Sequence, residues 1–348
     1  MRPVLLPAAR RLWRDRTTLQ LGRPGPGAFV LEGLDGPSRA VLSLLDGSRS
    51  REEVLAAPEG RPVLELLEGA GLVVDADDLT AGLRGLPMTE RDRLAPDAAS
   101  LCLVRGPAAS AAMAARRSAT VLVRGAGRVG APLAALLAGA GVGAVTVQDG
   151  RPTRHEDLSV GGLRADDVGR TREVVLAGRL GPSGHTRQQH LVVLTDGSEQ
   201  GQADVHDTGG WGTATTTETA ALLLADGTPH LLVDVLGRTG VVGPLVLPGL
   251  TTCARCLELT RTDLDPGWPA LSAQLGGPSR AAAVCDGVLA VAVAAQAALQ
   301  VLEHLEGGSP AAVGGTLELE LPGWRWRRRS WPVHPACSCA WTRPRRAA

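Results

Sequence analysis

The stretch Gly125-Ala126-Gly127-Arg128-Val129-Gly130 constrains this chain more than any other. It directly follows a strand-like run, Thr120 to Arg124, and opens a helix-like run, Val129 to Ala138. A second strand-like run, Ala144 to Gln148, ends at Asp149. Strand, glycine turn, helix, strand and acid form a nucleotide-binding βαβ unit. The glycines permit a tight turn and let backbone N–H groups at a helix N-terminus approach phosphate oxygens. The expected fold class is therefore α/β, a Rossmann-like mixed sheet flanked by helices.

At 348 residues and 44% hydrophobic content the chain has room for two domains and a packed core. Net charge is zero, so nothing global points to nucleic acid or a membrane as partner. The chain has no Lys; all 36 basic residues are Arg. That excludes chemistry built on a P-loop lysine or a Schiff-base lysine. Residues Met1 to Arg16 lack an apolar core of signal-peptide length. The apolar run Val284 to Leu302 contains Asp286, Gln296 and Gln300, and reads as a buried core helix. A cytoplasmic protein is expected.

Residues 1–85 read as a separate small domain. Leu19–Leu21 and Ala28–Leu31 alternate like a hairpin around Gly22–Gly27. Three helices follow: Pro37–Leu45, one opened by the capping-box spacing Ser50-Arg-Glu-Glu53, and Pro62–Ala70. A strand over Leu72–Val74 closes the segment. This order describes a winged-helix type module. Through Leu45–Val54 and Leu67–Val73 it resembles the PqqD type of peptide-binding domain, which implies recognition of a leader peptide. A generic helical domain and a DNA-binding wing are the alternatives, and the lack of a basic surplus weakens the second. Residues 86–118 read as a linker with an Ala-rich helix, Ala108–Ala115. Residues 119–348 carry the α/β pattern, with further strands expected at His190–Leu194, Leu231–Val235 and Val241–Val246.

Cys253 and Cys256 form one C-x-x-C hook, and Cys337 and Cys339 form a C-x-C hook near the C-terminus. Two distant pairs in loop-like contexts suit a tetrahedral, structural Zn²⁺ site that staples the C-terminal part to the domain. His334 is a candidate to replace one sulfur, and a redox pair or disulfides are the rival reading. Cys102 and Cys285 read as core residues.

Taken together, residues 119–340 resemble the ThiF-type adenylyltransferase family of the ubiquitin-activating-enzyme superfamily. The glycine loop, Asp149, Asp157-Leu158, Asp167–Arg172, Asp196 after a hydrophobic strand, and Gly243–Gly249 leading into Cys253-Ala-Arg-Cys256 carry the resemblance, in family order. It implies ATP and Mg²⁺, with a substrate carboxylate attacking the α-phosphate to form an acyl-adenylate. On that pattern Gly125, Gly127 and Gly130 approach the phosphates, Asp149 holds the ribose hydroxyls, Asp157 lies nearby, Arg172 supplies charge and Asp196 holds magnesium. A homodimer and a peptide or small-protein substrate are also implied.

Several positions depart from the family pattern. Arg151 stands where an Asp is usual, Asp157–Gly161 replaces Asn-Leu-x-Arg-Gln, and Arg172 replaces a Lys. An anion added beside phosphates weakens their binding unless another Arg compensates; Arg128, Arg154, Arg164 and Arg170 are candidates. Two readings stay open: an active adenylyltransferase in ribosomal-peptide or sulfur-carrier modification, or a degenerate leader-peptide scaffold for a separate cyclodehydratase. A nicotinamide dehydrogenase needs only the loop and Asp149, and leaves the cysteines unexplained. His155 and the Asp204–Asp207 cluster read as solvated turns, and Trp324–Trp331 as an edge strand or dimer surface. The segment Arg261–Pro269 is expected to be a crossover loop near the substrate site.

Overall fold

The computed structural model describes residues 1–6, 9–22, 28–181, 189–195, 214–275 and 285–339. The chain divides into two compact units, Met1–Arg116 and Arg117–Ala348.

The first unit begins with strand β1 (Pro3–Leu5) and a three-stranded antiparallel sheet of β2 (Arg11–Trp13), β3 (Leu19–Leu21) and β4 (Phe29–Leu31). Helices α1 (Gly36–Leu44), α2 (Arg51–Ala56) and α3 (Gly60–Gly69) follow, then strand β5 (Val73–Asp75), which pairs antiparallel with β1. Helix starts follow the local chemistry. Asp35 caps α1 by accepting from the Ser38 amide at 2.8 Å. At α2, Ser50 Oγ accepts from the Glu53 amide at 3.2 Å while Glu53 accepts from the Ser50 amide at 2.7 Å. Arg51 then forks onto Glu68 at 3.1 and 2.9 Å, tying α2 to α3. Leu19, Leu21, Leu45, Leu64 and Leu67 are fully buried in the core of this unit.

The stretch 86–118 is helical rather than a linker. Helix α4 (Ala76–Ala81) leads to α5 (Met88–Arg105) and α6 (Ala109–Ser118). Pro96 lies inside α5, and Gly106, at φ 54°, ends it. Leu94, Leu101, Cys102 and Met113 join the core of the first unit. Few apolar positions among charged ones made α5 read as linker.

The second unit runs β6 (Thr120–Arg124), α7 (Gly130–Gly139), β7 (Ala144–Gln148), α8 (Arg172–Leu180), β8 (Leu191–Leu194), α9 (Ala214–Ala225), β9 (His230–Leu236) and β10 (Thr239–Val246). It continues with α10 (Ala254–Leu264), α11 (Trp268–Leu275), α12 (Gly287–Leu305), β11 (Gly315–Glu320) and β12 (Arg325–Ser330). The strands form one seven-stranded sheet in the order β12-β11-β10-β9-β8-β6-β7. The pairs from β7 to β9 are parallel and those from β9 to β12 antiparallel.

Side-chain alternation separates the two faces of this sheet. Val121, Val123, Leu191, Val193, Leu231 and Val233 pack with α7 and α12. Val192, Leu194, Leu122 and Leu232 face the side of α9, α10 and the four cysteines. Residues 88–118 and 287–305 are long and apolar enough by composition to span a membrane. In α12, Leu289, Val293, Ala297 and Val301 are each 0% exposed, so that length covers the sheet. Ser50→Ala removes half of the reciprocal cap, and is expected to lower the stability of the first unit by about 1 kcal/mol in urea denaturation.

Candidate functional site

The strand order reverses at β6, which lies between β7 and β8. The carboxyl ends of the strands at such a reversal are where open α/β sheets place their ligands. The glycine loop leaves β6 at this point. Gly125 takes φ 96°, a conformation that a residue with a Cβ rarely adopts. Gly130 needs space rather than torsion: a Cβ here would overlap the Gly125 carbonyl oxygen and lie 2.6 Å from Thr195 Oγ1.

Thr195, at the end of β8, donates its hydroxyl to the carbonyls of Arg124 and Gly125, each at 3.0 Å. It therefore fastens the loop to the neighbouring strand. Sequence reading overlooked this residue because one Thr after a strand carries no pattern. No side-chain bond caps α7 among the described residues. The Gly127 carbonyl accepts from the Ala131 amide at 3.2 Å as the helix starts. An uncapped helix start behind a close-packed glycine loop suits an anion.

Asp149, Asp157 and Arg172 come together beside the loop. Arg172 is buried; its Nη1 donates to Asp149 at 3.1 Å and its Nη2 to Asp157 at 2.6 Å. Asp157 also accepts from the Arg154 amide at 2.7 Å. Asp149 accepts from the amides of Ala126 (2.8 Å) and Arg151 (3.1 Å) and from Arg151 Nε (2.8 Å) and Nη2 (2.7 Å). Burial pushes the Asp149 carboxyl up, but the Arg151 bonds, the two guanidinium charges and the Ala126 amide outweigh it and hold it at about 2. Asp196 lies outside the described residues, as do Asp204–Asp207.

The other arginines sort by position. Arg128, inside the glycine loop, donates Nη1 to the Cys285 carbonyl at 2.7 Å. Arg154 lies 3.8 Å from Glu156, and Arg170 lies 4.0 Å from Asp167. Arg164 offers its backbone amide to Asp167 at 2.7 Å. Asp167 itself is gripped by Arg179 at 2.6 and 2.7 Å, a pair 12 residues apart that sequence reading did not join. His155 is exposed. Cys285 is not a helix-core residue; it precedes α12 and bridges to Gly237.

The four hook cysteines converge on the opposite face. Cys253 Sγ lies 3.8 Å from Cys256 and 3.6 Å from Cys337, and Cys256 lies 3.4 Å from Cys339. All four are buried, with their sulfurs within 4.8 Å of one another. A zinc ion with four Zn–S bonds of about 2.3 Å needs sulfur–sulfur edges of about 3.8 Å. The set is compatible with a structural zinc site. The thiols affect one another strongly. A hydrogen bond from Cys253 lowers Cys256 to about 4, the Cys256 bond and burial raise Cys253, and burial raises Cys339 to about 12. A dication would favour the thiolate form of all four.

His334 is not part of the cluster; it pairs with Asp263 at 2.8 Å. Residues 261–269, expected as a crossover loop, belong largely to α10 and α11. Trp268 donates Nε1 to Glu258 at 2.6 Å, and Arg261 lies 4.9 Å from the Trp268 ring. β12 is an edge strand with all six residues exposed, while Trp331 beyond it is buried.

A mixed sheet with a glycine loop at its switch point is the arrangement of a Rossmann-like nucleotide-binding fold. Residues 106–182 match the model of the ThiF family. Its fold is that of E. coli MccB: the structure with succinimide is 15% identical, with TM-score 0.72, covering 99% of this chain and 100% of that one. The Microcin C7 biosynthetic enzyme MccB in complex with N-formylated MccA is also 15% identical, with TM-score 0.70, over 98% of this chain and 100% of that one. PaaA is 16% identical with TM-score 0.64, over 93% and 98% of the two chains. Among curated protein sequences, none matches this chain significantly.

Two predictions follow from the geometry. Cys337→Ser is expected to lower bound zinc per chain and the melting temperature together, read by metal analysis and thermal melts of one preparation. Asp149 is depressed from its ordinary value to about 2. Its ionised form therefore contributes roughly 2 kcal/mol above about pH 4, a contribution lost as pH falls toward 2. Asp149→Asn is expected to remove that acid limb from a stability–pH curve.

Proposed function

We propose that this chain is an ATP-dependent adenylyltransferase that activates the carboxylate of a ribosomally made peptide. The observation that carries this reading is the end-to-end likeness to MccB, structures of which were solved with ATP and with MccA. The glycine loop supports it from this chain's own residues. The loop packs so closely at Gly130 that a Cβ there would overlap the Gly125 carbonyl oxygen. Two buried Nε–H groups nearby, on Arg128 and Arg172, have no partner among the described residues.

On this reading Gly125, Gly127 and Gly130 cradle the phosphates, with Arg128 and Arg172 balancing their charge. Asp149 would take the ribose hydroxyls, and Asp196 would hold Mg²⁺, which supplies charge neutralisation at the phosphates. A carboxylate oxygen of the peptide bonds to the α-phosphorus as the bond to pyrophosphate breaks, giving acyl-adenylate and pyrophosphate. Cys253, Cys256, Cys337 and Cys339 would hold a structural zinc away from this chemistry. Residues 1–85 would grip the peptide, as a PqqD-like domain does. A cytoplasmic homodimer fits the reading.

A second reading has one specific observation in its favour. Arg151 occupies the carboxylate that the ribose would use. A catalytically silent scaffold that binds a leader peptide for a separate cyclodehydratase would keep the fold and lose that contact. The ThiF match and the sulfur cluster weigh against a nicotinamide dehydrogenase.

Calorimetric titration of the full-length protein with ATP and Mg²⁺ separates the two main readings. Saturable binding of one nucleotide per chain is expected. A well-folded protein that binds a candidate peptide but takes up no ATP is the scaffold.

A further inference from the structure

We infer that His334 is the positioning residue of the sulfur cluster: it holds the C-x-C hook against α10 and so sets how tightly the four thiolates bind a metal ion. The inference rests on the zinc reading above and adds a residue that is not itself a ligand.

The C-x-C hook follows β12, and Cys337 lies 84 residues from Cys253. The sulfurs cannot align the two hooks before a metal arrives, because thiolates repel one another. Contacts beside them must do it. Thr252, just before the first hook, donates Oγ1 to the Trp331 carbonyl at 2.5 Å. That bond fixes the chain as it leaves the sheet. His334 fixes it three residues later, where the second hook begins.

His334 bonds through backbone and ring together. Its carbonyl accepts from the Cys337 amide at 2.9 Å, closing a turn whose second residue is Pro335, with φ preset for that place. Ring Nδ1 accepts from the Ala336 amide at 3.1 Å inside the same turn. An amide nitrogen can only donate, so the ring proton sits on Nε2 and is given to Asp263 Oδ2 at 2.8 Å. The His334 amide donates to the Cys256 sulfur.

Asp263 and Cys256 both belong to α10, about two turns apart and therefore on one face. His334 thus grips α10 at two points and the C-x-C turn at two more. Its side chain is 11% exposed and that of Asp263 70%, so the clasp closes from the surface over the cluster's edge. Groups that hold metal ligands in place raise affinity because less order must be imposed on binding.

The test measures zinc affinity of the full-length protein by competition with a chromophoric chelator, for wild type, His334→Ala, His334→Asn and Asp263→Ala. Metal-free melting temperatures and Co²⁺ absorption spectra are recorded on the same proteins. His334→Ala is expected to lower zinc affinity ten- to a hundredfold, and Asp263→Ala about tenfold. His334→Asn should recover part of the loss, since its side-chain oxygen can take the Ala336 amide while the Asp263 bond stays broken. The thiolate bands of bound Co²⁺ should be alike in all four proteins. Unchanged zinc affinity in His334→Ala and Asp263→Ala overturns the inference, and a fall in metal-free stability alone makes the clasp a packing contact. A Co²⁺ spectrum altered by His334→Ala also overturns it, since His334 would then be a ligand. Should His334→Ala fail to fold, Asp263→Ala decides, its side chain being largely exposed. If folded wild type takes up no zinc, the zinc reading fails, and the inference fails with it.

Discussion

The guanidinium of Arg172 holds two carboxylates that could not otherwise share a buried space. Asp149 at the end of β7 and Asp157 in the following turn both bond to it. Two like charges in a low-dielectric setting repel strongly, and a single arginine between them turns repulsion into a clamp. The clamp joins the turn after β7 to the first residue of α8, which places the whole 149–172 segment beside the glycine loop. Arg151 adds a second positive charge beside the two acids, and the Glu173 carboxylate accepts from the Asp149 amide at 3.2 Å.

The frame of the fold was legible in the sequence because it is written in local rules. Glycines at 125 and 130, strand runs of alternating or continuous apolar residues, and the Ser50–Glu53 box each act over a few residues. The two cysteine hooks were legible for another reason: thiol pairs at metal spacing have few other uses. What escaped depends on where side chains meet. Arg151 was visible as a departure, but its bonds to Asp149 follow from the path of a turn. Thr195 bonds across 70 residues to the loop, and Arg179 reaches Asp167 across the start of α8. Helix α5 escaped because its charged surface hides the few apolar positions that join the core.

At 15% identity the likeness to MccB concerns architecture. The positions that hold this architecture tolerate little change: Gly130, whose Cβ would strike the backbone, and four sulfurs held in one cluster. At the carboxyl end of the sheet Asp149, Arg151, Asp157 and Arg172 form one hydrogen-bonded group. A fold of this kind keeps its supports while its binding chemistry drifts, which is why the likeness in fold leaves the activity to experiment.

The sulfur cluster also bears on how the chain behaves when it is not folded. Its hooks are separated by 84 residues between Cys253 and Cys337. A metal ion joining them closes a loop that spans α10 to β12, and so removes conformational freedom from the unfolded ensemble as well as bonding the folded one. Stability would then depend on free metal concentration, as it does for any ligand that prefers the folded state. Metal supply in the cell would thereby set how much of this protein survives, quite apart from any step it carries out.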